Sequence, residues 1–401
     1  MKILIADWDS FGDRDIEEVF AAKGFDVVKS PYVESEPEAV TTKQLADFAE
    51  AIDTHKPDCV FSYNFFPPIS DICQQKNTPY ISWVYDSPYM HLYSTSIENP
   101  VNRVFLFDAG MYQILAGRGI ETVYHLPLGV NTARYNRQCG TPDRPKKPGH
   151  LDLTTGRLSL ESDISFVGSL YTEERHRLYD RLNPDAYTGG YLDAIIAAQK
   201  HIYGADIISP MLTDDIIVGM LQSFPYAVED DVTMTAREFY AQYVLARKVT
   251  SVERSEILSL IGQLFPDKKT LLFTNDSDVR FQNVKNIGAV EYYKEMPDVF
   301  RSTKINLNIT LRSILTGIPL RALDIMASGG FLLSNYQAEL CEHFTPGEHF
   351  DYYEDYEDLM TKIEHYLSHN SERKDIAAAG WEKIQREFDL SDRVDVMLEC
   401  L

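Results

Sequence analysis

The chain has little cysteine. Its five residues (Cys59, Cys73, Cys139, Cys341, Cys400) are odd in number and scattered, with no CxxC and no Cys/His cluster. That spacing argues against both a disulfide framework and a structural zinc. Long apolar runs are missing too: no window approaches the roughly 18 apolar residues of a spanning helix. The N-terminal MKILIAD lacks the longer apolar stretch and small-residue cleavage site of a signal peptide. A soluble, cytoplasmic protein is therefore expected. Cationic charge is also scarce, 38 Lys+Arg against 61 Asp+Glu, for a formal charge of −23. Such a surface repels phosphate backbones and anionic lipids, so neither nucleic acid nor membrane is an expected partner. A local basic pocket can still hold an anionic ligand within that field.

What is present is globular: 44% hydrophobic and 12% aromatic residues over 401 positions, enough for two or three cores. In the first part, apolar runs at 2–6, 25–28, 58–63, 80–85, 103–107 and 122–126 alternate with helical patterns at 13–24, 45–52, 69–75 and 110–116. Uniformly apolar strands separated by helices predict a doubly wound parallel sheet. Residues 135–156, rich in Arg, Pro, Lys and Gly, read as a linker. A second α/β series starts with the strand 163–167, is interrupted by a helical insertion at about 172–265, and resumes with strands 270–274, 305–309 and 331–334. Helical patterns at 356–367, 373–386 and 392–401 close the chain, and the acidic run 352–358 reads as a solvated turn and helix start. The resulting domains are 1–157, 158–387 and a closing helix 388–401. The fold class is α/β, two Rossmann-like domains with ligands at the carboxyl ends of their strands.

The most informative stretch runs from Lys304 to Asn335. A strand leads to Arg312, then Thr316-Gly317-Ile318-Pro319, then a helix with Pro319 at its first position. The free amides of Gly317, Ile318, Leu320 and Arg321 form a candidate diphosphate site, with Arg312 and Arg321 adding charge. Asp324, about 7–8 Å along the helix by its rise, is placed to accept ribose hydroxyls. The plain structural alternative is that Pro319 and Gly329 only punctuate a helix and that Arg321 and Asp324 are surface charges. Asp276 and Asp278 form an Asp-x-Asp that reads as a polar turn before a metal site.

The segment TGIPLRALDIMASGGFLLSN resembles the donor domain of spore-maturation type GT-B glycosyltransferases, relatives of glycogen-synthase-like family 4 enzymes. DISFVGSLY (163–171) and HYLSHNSERKDIAAAGWEKI (365–384) extend the likeness, and MKILIADWDSFGDRDIEEVF, YISWVYDSP and VYHLPLGVN resemble the accompanying N-terminal domain. The resemblance covers nearly the whole chain except the linker and much of the insertion. It implies a UDP-sugar transferase acting on a surface polysaccharide or protein, with two Rossmann-like domains across a cleft, no cofactor beyond the nucleotide sugar and no metal. It assigns Gly168, Ser169 and Tyr171 to a phosphate-approach loop and Gly288 and Val290 to the nucleobase. The two family glutamates fall on Thr316, which departs from the pattern, and on Asp324, in the ribose role. Loss of the first keeps a non-catalytic nucleotide-binding subunit in play, and a nucleotide-sugar 2-epimerase shares the architecture. A homodimer is left open.

In the first domain, carboxylates and imidazoles at strand ends are the candidate acceptor-side bases if configuration inverts. Asp86 leads, followed by His91 and Asp9, with a turn or cap as the alternative for Asp86. His125, inside an apolar strand, reads as a core histidine. The aromatic clusters Tyr63–Phe66 and Trp83–Tyr85 offer ring faces to a sugar or simply to the core.

Overall fold

The computed structural model describes residues 1–32, 42–142, 144–147, 151–153, 156–228 and 231–401, so parts of the 135–156 linker lie outside it. Two compact units result. The first comprises Met1–Asn131, Val228–Met234 and Phe388–Leu401; the second comprises Thr132–Ala227 and Thr235–Glu387. Among the described residues no helix is long and apolar enough to cross a membrane.

In the first unit six parallel strands, β1 (Lys2–Asp7), β2 (Asp26–Pro31), β3 (Cys59–Tyr63), β4 (Tyr80–Val84), β5 (Asn102–Leu106) and β6 (Val123–His125), form one sheet. Their order is β2-β1-β3-β4-β5-β6. Every residue of β3 and β4 is buried, as a sheet covered on both faces requires. Helix α1 (Asp13–Ala22) buries Ile16, Val19 and Phe20, and α2 (Thr42–His55), α3 (Pro67–Lys76) and α4 (Ala109–Gly117) complete the alternation.

The second unit opens with α5 (Thr132–Cys139) and builds its sheet from β7 (Ser162–Val167), β8 (Thr270–Phe273), β9 (Val284–Asn286), β10 (Thr303–Asn308), β11 (Leu332–Asn335) and β12 (Asp351–Tyr353). All pairings are parallel and the order β9-β8-β7-β10-β11-β12 is that of a dinucleotide-binding sheet. The helices are α6 (Ala186–Gln199), α7 (Asp214–Ser223), α8 (Ala246–Leu264), α9 (Met296–Ser302), α10 (Leu320–Ala327), α11 (Ala338–His343), α12 (Tyr356–Ser368) and α13 (Asn370–Glu387). The closing α14 (Leu390–Leu398) belongs to the first unit, where Val394 and Met397 are buried and Lys23 pairs with Asp395 at 2.7 Å. The predicted α/β class, two doubly wound parallel sheets, is what the chain forms.

Three readings are corrected. The linker begins with a helix: α5 buries Tyr135 and Cys139 and belongs to the second unit, because its apolar residues recur at i and i+4 within a polar stretch. The acidic run at 352–358 contains the end of an edge strand, with Tyr353 fully buried and Asp351 at the strand's start also buried. The insertion ends earlier than 265. Ala246 and Val249 of α8 pack in the insertion's own core with Leu192, Leu212 and Met220. Ile257, Leu258 and Ile261 of the same helix pack on the sheet, so the later half of α8 is the crossover from β7 to β8.

Candidate functional site

In the second sheet the strand order reverses between β7 and β10, and ligands bind such sheets at that point, beyond the carboxyl ends. The two loops there are tied by Arg254 of α8, which is buried. Its Nε donates to the Ile309 carbonyl at 3.0 Å, Nη2 donates to the same oxygen, and Nη1 donates to the Ser169 carbonyl. The guanidinium also lies 5.2 Å from the ring centres of Phe166 and Tyr171. A Cβ at Gly168 would come within 3.3 Å of the Phe166 ring, a tight contact that the ring would have to relieve. The Ser169 hydroxyl accepts from the Tyr171 amide at 2.9 Å. Tyr171 itself sits at φ 56°, left-handed backbone that a bulky residue adopts only when its surroundings hold it there.

Beside this loop lies a pocket of about 210 Å³ lined by Tyr171, Thr172, His176, Arg177, Arg247, Lys248 and Ser251, with Tyr179 and Asp180 at its side. Lys248 pairs with Asp180 at 3.0 Å. Arg247 has no carboxylate partner among the described residues; its guanidinium stacks 5.0 Å from the Tyr243 ring and its Nε is buried without an acceptor. Neither Arg247 nor Arg254 was singled out from the sequence. The signal was their seven-residue spacing, which puts both on one face of a helix aimed at the switch point.

The candidates on the loop between β10 and α10 fare differently. Arg312 does not offer its charge to a ligand: Nε bonds the fully buried Glu253 at 2.9 Å, Nη1 the Ile202 carbonyl at 2.9 Å, and Nη2 the Lys200 carbonyl at 3.0 Å. It is a strut that fastens the insertion to the sheet. Pro319 is the residue before α10 rather than its first, with ψ 139°. Among the described residues, the amides of Leu320 and Arg321 donate to no protein acceptor, while Ile318 and Pro319 are buried beneath them. Arg321 lies over Phe300 at 5.7 Å, touches the Met296 sulfur, and reaches Asp324 at 3.5 Å.

The expected ribose grip by Asp324 is corrected. Its carboxylate is 1% exposed and accepts hydrogen bonds from Tyr135 at 2.7 Å and Tyr292 at 3.0 Å. Burial pushes its pKa up, opposed by Arg321 and the tyrosines, and the same burial holds Tyr135 well above the ordinary phenol range. Spacing placed the acid on the right helix but could not show that α5 and the segment after β9 close over it. That segment contains Gly288, at φ 93° with its amide on Asn286 Oδ1 at 3.0 Å, and the half-buried Val290.

Thr316 donates its hydroxyl to Glu339 Oε1 at 2.7 Å and accepts from the Glu339 amide at 3.0 Å. Glu339 is 2% exposed, so α11 sets a buried carboxylate beside Thr316. No local pattern reveals it, because 23 residues separate the pair. Asp276 closes a turn, accepting from Thr172 Oγ1 at 2.6 Å and from the Asp278 amide at 3.1 Å.

In the first unit the order reverses between β1 and β3. Asn64, buried and left-handed at φ 58°, donates from Nδ2 to Asp86 Oδ2 at 2.7 Å and accepts from the Tyr85 amide at 3.2 Å. Asp86 is thereby exposed but held. Asp9 is exposed, with its amide on Asp7 Oδ1 at 3.2 Å. Tyr89 donates its hydroxyl proton to the Phe65 carbonyl, so at 3.1 Å His91 Nδ1 donates to Tyr89 and the imidazole acceptor is Nε2. Trp8, Phe11, Tyr85, Phe66 and His91 line this edge through ring contacts of 4.7–6.2 Å. Tyr63 and Trp83 stack inside the sheet as core.

At the start of α1, Asp13 accepts from the Ser10 amide at 3.0 Å. Burial, then the hydrogen bond and charge of Asp7, push its pKa up to about 7. Asp7 is itself held low: burial works against ionisation, but Lys29 and the Asp9 amide outweigh it. A raised carboxyl pKa means the fold binds the proton more tightly than the unfolded chain. The stability Asp13 contributes is thus complete below about pH 4 and lost as pH climbs to about 7. Asp13→Asn is expected to remove that slope, and melting temperatures measured from pH 4 to 8 check it. Parallel profiles for the two proteins would refute the assignment.

A larger cavity, about 610 Å³, opens at the amino ends of β10 and β11 beside Arg301, Lys304, Arg373 and Trp381. Ligands of doubly wound sheets sit at the opposite ends, and the convergence of loops there decides the site.

Residues 250–399 match a protein-family model described as Glycosyl transferase-like. A search of curated proteins finds no significant match. Among solved structures the chain is similar to a glycosyltransferase from Rickettsia africae, with TM-score 0.53 and 11% identity over 100% of this chain and 97% of that one. It is similar to HepE of Anabaena in complex with UDP-glucose, with TM-score 0.53 and 10% identity over 100% and 99% of the two chains. A sucrose-phosphate synthase from Thermosynechococcus elongatus gives TM-score 0.50 and 13% identity over 100% and 97%. These are likenesses of fold, and the family match begins just before Glu253 and Arg254.

Proposed function

Proceeding from a glycosyltransferase of the GT-B type, we propose that this protein moves a sugar from a nucleotide diphosphate donor, a UDP-sugar, to a surface polysaccharide or protein acceptor, as the spore-maturation resemblance suggests. The single observation that carries this reading is Arg247, a guanidinium without a carboxylate partner among the described residues, beside a glycine loop at the switch point of a dinucleotide-type sheet. The UDP-glucose bound to the similarly folded Anabaena protein supports the choice of nucleotide.

The chemistry follows from charge. A departing nucleotide diphosphate concentrates negative charge, which preorganised cations and amides stabilise most strongly where water is excluded. Arg247 and Lys248 near the Gly168 loop and the open amides of Leu320 and Arg321 are the groups we assign to it, in a transfer that needs no metal. The first unit supplies the acceptor side: its aromatic edge suits sugar C–H faces, and Asp86, fixed by Asn64, is the base for an inverting transfer. Glu339, bonded to Thr316, favours turnover over a binding-only role, because it sets a carboxylate beside that residue.

The test is thermal melting and calorimetry with UDP, UDP-sugars and uridine on the intact protein and on Arg247→Ala. UDP is expected to raise the melting temperature. Loss of one charge-assisted contact should weaken UDP about 10- to 100-fold while leaving uridine binding nearly unchanged. Equal losses for both ligands would remove Arg247 from the diphosphate, and absence of any nucleotide-dependent shift would sink the proposal. Sugar transfer across a donor panel separates an enzyme from a binding subunit.

A further inference from the structure

At the corner between α12 and α13, far in sequence from the loops above, His365, His369 and Glu372 bring three ligand atoms within 4.8 Å of one another. The two imidazoles stack with centres 4.0 Å apart and planes inclined by 16°. His369 Nδ1 lies 2.8 Å from the His365 carbonyl, which only accepts, so Nδ1 carries the proton and the lone pair is on Nε2. A backbone carbonyl that fixes the tautomer and aim of a ligating histidine is the usual outer support of a metal site. His365 Nε2 meets Glu372 Oε2 at 2.8 Å. The neighbouring cation does not compete, because Arg373 turns inward and donates to the Tyr366 carbonyl at 2.6 Å.

From this arrangement we propose that His365, His369 and Glu372 bind a divalent transition-metal ion of borderline softness, with zinc as the reference ion. Two neutral imidazoles and one carboxylate suit zinc, and water completes a tetrahedron. Tetrahedral zinc with bonds near 2.0 Å needs donors about 3.3 Å apart and in-plane lone pairs that converge, so binding must unstack the two imidazoles by rotating these solvent-accessible side chains. On binding, the proton at His365 Nε2 moves through solvent to Nδ1, leaving Nε2 as ligand; no electron transfer or bond cleavage is involved. The ion joins the end of α12 to the start of α13, two helices that pack on the sheet through Leu359, Ile363 and Ile376. Its role is a structural clip, independent of the sugar-transfer reading. The cysteine-centred reading of the sequence passed it over, because Glu372 lies beyond the helix break at His369.

The test uses untagged full-length protein, first stripped with a chelator, and Zn²⁺ alone as probe. Calorimetry is expected to show one tight site per chain in the micromolar range, with a melting temperature raised by about 3 °C at saturation. His369→Ala and Glu372→Ala should each weaken zinc at least 10-fold, while their metal-free melting temperatures stay within about 1 °C of the parent because the side chains are exposed. A Co²⁺-loaded sample should show the strong visible absorption of tetrahedral cobalt, lost in His369→Ala. Zinc binding weaker than about 100 µM, an adventitious ion only, would overturn the proposal. Unchanged affinity in the His365→Ala/His369→Ala double variant would do the same.

Discussion

Glu253→Ala is expected to lower the stability of the folded protein by about 3–5 kcal/mol, measured by urea unfolding. Glu253 is fully buried and accepts from Arg312 Nε at 2.9 Å and from Tyr203 at 2.7 Å. Burial pushes its pKa up, and the guanidiniums of Arg312 and Arg254 draw it down. Removing it leaves the Arg312 charge, itself only 8% exposed, with carbonyl oxygens but no anion. That is why breaking such a pair costs more than the pair contributes. Replacing both residues by methionine removes both charges and should recover a substantial part of the loss. A decrease below about 1 kcal/mol for the single variant would show that the pair is not a strut.

The second large effect is expected for Arg254→Lys. Lysine keeps the charge but offers a point in place of a fork, and it cannot span the Ser169 and Ile309 carbonyls in the same geometry. The loops after β7 and β10 then lose their common anchor, and misplacement by about 1 Å at a reacting centre costs about 100-fold in rate. On the proposed function, transfer efficiency should fall by that order and UDP affinity by about 10-fold, with helix content unchanged by circular dichroism. Wild-type kcat/KM in Arg254→Lys would contradict the role. Because Glu253 and Arg254 are adjacent, their effects should not be added.

The two arginines show where reading a sequence stops. Arg312 follows a strand and precedes a proline-led helix, which is the right place for a phosphate ligand. Whether it reaches one depends on Glu253, 59 residues away, whose carboxylate takes its guanidinium. Asp324 follows the same course, its helix predicted and its carboxylate covered by tyrosines from α5 and from the segment after β9. Glu339 is the converse: a carboxylate reaches Thr316 from a helix beyond the next strand. Among the elements, the buried strands were legible because covered parallel strands are apolar throughout. The edge strand β12 and the helix α5 were not, because at three and eight residues each is too short for a periodicity to show.

By itself, then, the sequence determined two doubly wound sheets and ten of their twelve strands to within a few residues, with β9 and β12 missed. Periodicity and burial are local properties of the chain, and hydrophobic patterning carries them directly. Only the tertiary structure decided which charges are neutralised and which remain open, putting Arg247 at a pocket, Arg312 in a strut, Asp324 under two tyrosines, and Glu339 beside Thr316. Electrostatic pairing acts through space over a few ångströms, between side chains that the chain itself keeps tens of residues apart.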